Sequence, residues 1–438
     1  MKSEKSREEK KKILIFAHYY APDTASTGQI LQDQAEGMCD RFEVTVICTV
    51  PSYTGKIEKR YQTQRFYFEE LNGVKIIRVR VPEFSKNNKW SRIRNILSYY
   101  FGAMKACRIA GEQDYVFTIS QPPILGGRLG VRGSRQKHAR LIYCIQDFNP
   151  EQIMAVGYFH NRFILNLLMK LDKDSCRRSD LVITVGRDLA QTLENRFQGE
   201  KVPNYTVINN WIDEKTVYPL PDDDARLCAF RKQYGLEGKF VIMYSGNIGL
   251  YYDLTNLMKV LKEFRKGTTA QGVREQGPVT PGGREVVFAF VGDGSLREEL
   301  MQYTEQHHFE NVVFIPYQKK EDLIYSLNAG DVHWCINARG IKGVSCPSKA
   351  YGIMAAGKPV IGVLENGSEI RMLIEEAGCG RCCEPGEYDQ IAEILRWYIS
   401  HADTEEPKQM GIRGRNYLEQ HLTKEKAVQK YIQAIDSL

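Results

Sequence analysis

Along this chain, apolar runs of strand length alternate with amphipathic segments of helical length. "KILIFA" (12–17), "EVTVICTV" (43–50), "DYVFTIS" (114–120), "RLIYCIQ" (140–146) and "DLVITVG" (180–186) form a first series. "FVIMYSG" (240–246), "EVVFAFVG" (285–292), "NVVFIP" (311–316), "VHWCIN" (332–337) and "KPVIGVL" (358–364) form a second. These runs are continuously apolar instead of alternating, as parallel strands covered by helices on both faces read. Helical patterns over 252–265, 295–306 and 319–329 separate members of the second series. The pattern predicts two doubly wound α/β units in tandem.

The Pro- and Asp-rich stretch "NNWIDEKTVYPLPDDDARL" reads as the linker between them. The domains expected are 1–217, 218–405, and C-terminal helices 406–438 packing back toward the N-terminal domain. "KGTTAQGVREQGPVTPGG" (266–283) reads as a long flexible surface insertion.

Composition narrows the class. A chain of 438 residues is too long for one ordinary core, and 42% hydrophobic content fits a globular protein. No run of 18 uninterrupted apolar residues occurs, so a membrane-spanning helix is not expected. The charged N-terminus lacks the apolar core and cleavage site of a signal peptide. Eleven scattered cysteines, several inside strand-like runs (Cys48, Cys144, Cys335), suggest reduced, buried thiols and a cytoplasmic protein. "CGRCC" (379–383) has no second Cys or His pair at zinc spacing.

The net charge of +6 is uneven. Lys2, Lys5, Arg7, Lys10, Lys11 and Lys12 crowd the start. The stretch from Lys86 to about 111 interleaves Lys89, Arg92 and Arg94 with Trp90, Ile93, Leu97, Tyr99 and Phe101. Such a pattern suits an anionic membrane surface, a nucleic acid, or simply a core-facing helix beside a solvated terminus.

In doubly wound sheets, ligands collect beyond the carboxyl ends of the strands. The loop after the first strand, "HYYAPDTASTGQI", places Gly28 just before a helix but has no Gly-x-Gly-x-x-Gly spacing, so it does not read as a dinucleotide site. His18 lies here too, with nothing in its spacing to single it out. "YSGNIG" (244–249), "VGDGSL" (291–296) and "GVSCPSKAYGIMAAGKPVIG" (343–362) follow strands of the second series. In the last, a helix expected over 348–356 begins with bare amides, the Ser348 hydroxyl and Lys349, a suitable start for holding an anion.

In order and spacing, "YSGNIG", "FVGDGS", "NVVFIPY", "PSKAYGIMAAGKPVI" and "GSEI" resemble the nucleotide-sugar half of family 4 glycosyltransferases. "HYYAPDTASTGQ", "VPSYTGKI", "QDFNPEQIMAVG" and "INNWID" extend the resemblance, from about Ile13 to the C-terminal helices, to the branch of colanic-acid-type fucosyl and N-acetylfucosaminyl transferases of bacterial surface polysaccharides. The resemblance implies a GT-B fold, two Rossmann-like doubly wound parallel-sheet domains facing across a cleft. It implies retaining transfer, without metal or other cofactor, of a sugar such as a 6-deoxyhexose or its N-acetylamino form. The donor would be a nucleoside diphosphate sugar and the acceptor a lipid-linked saccharide in capsule, exopolysaccharide or O-antigen synthesis. The protein would sit at the inner face of the plasma membrane, bound to its anionic surface, with no nucleic-acid partner.

Many family members carry two glutamates at the positions of Val344 and Gly352, and an Arg and a Lys where this chain has Asn247 and about Tyr252. Donor-binding residues expected are Gly28, Gly246, Asn247, Ser348, Lys349 and Glu369, with Lys349 and Asp147 in catalysis. Asp147 could instead cap the next turn, Glu369 its own helix, and Asp293 and Glu298 shape the "GDG" turn. Two other classes remain open: a GT-B epimerase or inverting enzyme, which needs a carboxylate or histidine base, and an inactive nucleotide-sugar or glycan-binding module.

Overall fold

The computed structural model describes residues 9–23, 26–85, 88–155, 161–268 and 274–438. Lys2, Lys5, Arg7 and Lys86 of the two basic stretches lie outside them. The chain divides into two compact units, 1–209 with 425–438, and 210–424.

The first unit is built on β1 (Lys12–Phe16), β2 (Glu43–Thr49), β3 (Phe66–Leu71), β4 (Val74–Val79), β5 (Tyr115–Ile119), β6 (Arg140–Ile145), β7 (Leu181–Thr184) and β8 (Tyr205–Val207). They form one sheet in the order β3-β4-β2-β1-β5-β6-β7-β8. All neighbours are parallel except β3 and β4. All five strands read from the apolar runs of this half are present. β3 and β4 were not expected. They make a hairpin across Asn72-Gly73, both at positive φ (50° and 82°), the backbone a two-residue hairpin loop demands. β3 alternates in exposure as an edge strand does, so its apolar content falls below that of the central runs.

The second unit carries β9 (Phe240–Ser245), β10 (Lys266–Thr268), β11 (Arg274–Gln276), β12 (Val286–Val291), β13 (Val312–Ile315), β14 (Val332–Ile336), β15 (Val360–Val363) and β16 (Gly380–Cys383). The parallel sheet runs β13-β12-β9-β14-β15-β16. The "CGRCC" cluster is thus mostly an edge strand. Its cysteines pack as apolar groups: burial pushes the Cys379 and Cys383 thiols up to about 12. The expected flexible insertion is partly ordered, since β10 and β11 pair antiparallel at its start. Residues 269–273 lie outside the described residues.

Two expected boundaries move. The stretch taken as a linker is largely part of the second unit: Trp211 and Val217 are buried, and Arg415 donates to the Val217 carbonyl (2.9 Å). Helix Glu405–His421 also stays with that unit, where a Cβ on Gly411 would lie 2.0 Å from the Gly357 carbonyl oxygen. Of the helices expected to pack back, only the last (Lys424–Asp436) joins the first unit. Its Tyr431 ring stands 6.0 Å from Phe117 and its Asp436 pairs with Arg41 at 2.9 Å.

In both sheets the chain winds outward from a central strand in two directions. The reversal falls between β1 and β5 in the first unit and between β9 and β14 in the second. Crevices for ligands open at such points, beyond the carboxyl ends of the strands.

Each unit also buries an uncharged histidine. His333, on β14, bonds the Leu327 carbonyl through Nε2 at 2.8 Å, and burial pushes its pKa down to about 3. Burial likewise pushes His18 down to about 4. An unfolded chain takes up these protons near pH 6.5, whereas the folded chain refuses them until pH 3–4. Their contribution to stability is therefore complete above pH 6.5 and is lost as pH falls through this window. Each should cost on the order of 2 kcal/mol between pH 7 and pH 5. Thermal melts across that range should show the loss, and His333→Gln should flatten the slope; an unchanged slope in the variant would refute the assignment.

Candidate functional site

In the second unit the reversal point is made by the loop after β9. Gly246 N–H donates to the Val291 carbonyl (2.9 Å) and Ile248 N–H to the Asp293 carbonyl (2.9 Å), which ties this loop to the one after β12. The glycines of "GDG" permit that contact: a Cβ on Gly292 would lie 2.0 Å from the Gly246 oxygen, and one on Gly294 2.3 Å from the Ile248 oxygen. Asp293 shapes the turn as expected, its carboxylate accepting from Gly294 N–H at 2.9 Å. Tyr244 Oη donates to the Asn247 carbonyl (2.6 Å), leaving the Asn247 side chain exposed.

Lys349 reaches this loop from the β14–β15 connection. Its Cε lies 2.7 Å from where a Cβ on Gly246 would stand, and the φ of 144° at Gly246 itself favours glycine there. The ammonium sits 3.5 Å from the centre of the Tyr252 ring and 5.3 Å from that of Tyr244. Cation–π attraction of this kind is worth about 0.5–2 kcal/mol. Gly246, Asn247 and Lys349 are thus gathered at one strand edge, half-buried or exposed. Ser348 is exposed just before them, and its hydroxyl makes no capping bond.

The helix carrying Lys349 is shorter than expected, Lys349–Ala355, about two turns. A dipole over so few residues is weak, so the positive character of this edge rests mainly on the Lys349 charge. Tyr244 and Tyr252 are the members that sequence reasoning missed. Tyr252 was noted only as occupying a lost cation's place, although aromatic residues flanking a glycine loop were legible.

The two positions where many relatives carry glutamate are apolar in their surroundings. Val344 is buried, and a Cβ on Gly352 would touch Leu327 Cδ1 at 3.2 Å and Ile212 Cδ1 at 3.6 Å. Glu369 begins helix Glu369–Ala377, with Ser368 rather than itself at the cap position, and is 2% exposed. It lies among buried groups, not on the open loop surface with Lys349.

The remaining expected residues, Gly28 and Asp147, belong to the first unit. Gly28 lies in helix Ser26–Met38 with its Cα face against the Tyr19 carbonyl, where a Cβ would stand 3.1 Å from the oxygen. Asp147 follows β6. Its N–H and that of Gln146 both donate to Ser120 Oγ (3.2 and 3.1 Å). The loop beyond is fixed by Arg196, whose buried guanidinium pairs with Asp172 (2.5 Å) and Glu151, donates to the Asn149 carbonyl (3.0 Å) and lies 4.2 Å from the Phe148 ring centre. A cavity of about 190 Å³ opens at this unit's reversal point, where His18, Phe84, Arg92, Gln121, Asp147 and Asn149 contribute to its walls.

Among the described residues no three His, Cys, Asp or Glu side chains cluster as a metal site would require, and no helix is long and apolar enough to cross a membrane.

Comparison with known proteins places these features. Residues 229–417 match the family model "Glycosyl transferases group 1". The chain is 24% identical over 440 residues to the putative colanic acid biosynthesis glycosyl transferase WcaI of Escherichia coli K12, covering 97% of this chain and 99% of that one. Among solved structures, sucrose-phosphate synthase of Thermosynechococcus elongatus superposes with a TM-score of 0.74 at 13% identity, covering 98% and 99% of the two chains. Anabaena HepE, solved in complex with UDP-glucose, gives 0.66 at 18%, covering 98% and 100%. The glycine loops, Tyr252 and Lys349 all fall within the matched segment, which carries the group 1 glycosyl transferase pattern in a chain of GT-B fold.

Proposed function

We propose that this protein is a retaining glycosyltransferase of surface polysaccharide synthesis, moving a sugar from a nucleoside diphosphate sugar to a lipid-linked saccharide. The family 4 assignment, the fucosyl-type branch and the 6-deoxyhexose belong to this proposal. The observation that carries it is Lys349, held over Tyr252 against Gly246 at the carboxyl edge of a sheet whose segment matches a glycosyl transferase family. That a neighbour of the same fold was solved with UDP-glucose supports the donor class.

In the reaction the bond from the sugar's C1 to the diphosphate oxygen breaks, and the acceptor oxygen bonds C1 on the same face. The acceptor's proton passes to the departing diphosphate. Negative charge grows on that leaving group, so what the protein must supply is a positive, preorganised environment. Lys349 supplies the charge, with Ser348, Asn247 and the Gly246 backbone as neutral partners. Asp147 is proposed, within the first unit, as a polar group beside a sugar; Glu369, buried at the start of its helix, does not join Lys349 on the open surface.

Lys349→Ala should lower turnover roughly 10²-fold or more while weakening donor binding less, because the charge is needed most in the transition state. Lys349→Arg should rescue little, since a planar fork does not fit over the ring and against the glycine as a point charge does. Steady-state kinetics with saturating acceptor, beside thermal melts, measure this; unchanged turnover in Lys349→Ala defeats the assignment.

Transfer should survive EDTA, since Lys349 occupies the role a divalent cation takes elsewhere. Loss of activity in EDTA with recovery on adding Mg²⁺ would overturn metal independence.

The inactive binding module is the second reading, favoured by the apolar settings of Val344 and Gly352. Release of nucleoside diphosphate from a donor sugar excludes it.

The acceptor's lipid and the anionic membrane surface are proposed from helix Lys89–Ile109. Its Trp90, Ile93, Leu97 and Phe101 recur at helical spacing and are 41–80% exposed, while Tyr99, Ala103 and Ala106 face the core. Lys89 and Arg94 flank the exposed strip, whereas Arg92 lies on the opposite side, in the wall of the cavity. Sedimentation with anionic liposomes should be strong at low salt and fall as salt rises; no binding to any liposome would end this part of the proposal.

A further inference from the structure

The seat of Lys349 depends on an unusual backbone. Tyr252, whose ring centre lies 3.5 Å from the Lys349 ammonium, ends the single turn Leu250–Tyr252. Asp253 follows it in the left-handed region, at φ 49° and ψ 33°. Among residues with a Cβ, aspartate enters this region when its short side chain finds a local hydrogen bond. The conformation therefore rests on where the Asp253 carboxylate is bonded. Asp253 also begins helix Leu254–Leu261, where an aspartate ordinarily caps the free amides, yet it makes no capping bond.

Two side chains take that carboxylate instead. Oδ1 accepts from Asn256 Nδ2 (2.7 Å), one turn further on, and Oδ2 accepts from the Tyr388 hydroxyl (2.9 Å). Tyr388 is 135 residues away along the chain and opens helix Tyr388–Ser400, beyond β16. The loop that delivers it is anchored in turn. Arg339 donates to the Pro385 carbonyl through Nε (3.2 Å) and Nη2 (2.8 Å). The neighbouring Ala338 N–H donates to the Tyr251 carbonyl at 2.7 Å. Hydrogen bonds thus join the loops after β9, β14 and β16 around the turn that carries Tyr252.

Tyr252 and Asp253 share one peptide, so a return of Asp253 to a right-handed backbone would carry the Tyr252 ring away from the ammonium. We propose that Asp253 and Tyr388 are positioning residues for Lys349. By holding the Asp253 carboxylate, the Tyr388 hydroxyl keeps the left-handed turn that presents the Tyr252 face to the lysine. The link from this geometry to turnover rests on the transferase reading above, in which Lys349 meets the departing diphosphate. A glycine at 253 would need no such hold, because it takes the left-handed region without a partner. Alanine and glycine both remove the carboxylate, and only glycine relieves the backbone.

The test uses the full chain and two readouts. In the first, lysines are methylated with isotope-labelled formaldehyde, which keeps their charge, and observed by NMR. The Lys349 methyl resonance, assigned by its loss in Lys349→Ala, should be displaced upfield by the Tyr252 ring. Asp253→Ala and Tyr388→Phe should move it toward the position of exposed lysines, and Asp253→Gly should hold it near the wild-type position. In the second, unmodified protein is assayed for nucleoside diphosphate release from UDP-glucose, UDP-N-acetylglucosamine and GDP-fucose. Tyr388→Phe should lower kcat roughly three- to tenfold and Asp253→Ala roughly tenfold, with KM changed less than about twofold. Asp253→Gly should keep more turnover than Asp253→Ala, and Tyr388→Phe should cost nothing further in a Lys349→Ala background. Thermal melts establish that each variant is folded. A Lys349 resonance unmoved in both Asp253→Ala and Tyr388→Phe overturns the proposal. So does turnover in Asp253→Gly as low as in Asp253→Ala, or an undiminished loss from Tyr388→Phe when Lys349 is absent, which would make the pair merely structural. A wild type that releases no nucleoside diphosphate from any of the three donors counts against the transferase reading, and the resonance then decides the positioning alone.

Discussion

Parallel pairing is the constraint from which the rest of this structure follows. A parallel strand cannot be joined to its neighbour by a tight turn, so each connection must cross a face, and every strand of the sheet ends at the same edge. Loops that begin far apart in sequence therefore share one edge. In the second unit that edge brings the Gly246 loop beside Lys349, residues separated by three crossovers and the strands β12, β13 and β14. In the first it brings His18, Gln121 and Asn149 to one cavity. The winding order adds the second condition: where it reverses, adjacent crossovers leave on opposite faces, and the edge between them stays open.

On the second edge, the unusual feature is how a single lysine is kept in place. The resemblance read from the sequence led to the expectation of an arginine and a lysine after the first strand of this half. Here Tyr252 stands where one of those cations is expected and becomes the seat of the ammonium of Lys349. The exchange is coherent physically. An aromatic face attracts a cation without neutralising it, whereas a carboxylate partner would cancel its field. The absence of carboxylates at Val344 and Gly352 works in the same direction.

What was legible in the sequence divides along the same physical line. Strands buried on both faces announce themselves, because nothing but apolar side chains is tolerated there: β1, β2, β5, β6, β7, β9, β12, β13, β14 and β15 all coincide with apolar runs. At the sheet edges β3, β8 and β16 went unread because part of their side chains face water, although the edge strand β13 was read; the interior strand β4 went unread because Lys75 and Arg78 interrupt its apolar run. The Asn72-Gly73 turn was a local signal that could have exposed the β3–β4 pair. Domain limits were misplaced because Pro and Asp mark an irregular backbone, not a free one, and the stretch around Trp211 and Val217 is irregular but packed. In the site, glycines and the lysine were readable because close approach and charge leave few alternatives. Tyr252 was not, because its contact with Lys349 depends on which side chain lies opposite, and that is settled only by the tertiary fold.

Polar groups buried in the first unit are of two kinds, those answered by the protein and those left unanswered. Elsewhere in the first unit, polar burial is compensated inside the protein: Arg196 answers Asp172 and Glu151, and Arg78 answers Glu69 and the Ala21 carbonyl. Those groups fix loops and ask nothing of solvent or ligand. His18 and Asn149 sit on the same loops, yet each is left one hydrogen bond short. The Arg196 network matters here because it makes the shortfall rigid. Held by its own carbonyl to Arg196, the Asn149 segment is not free to turn inward and find a protein donor. The unmet bonds therefore persist at atoms that solvent does not reach, and the compensated charges around them hold them there.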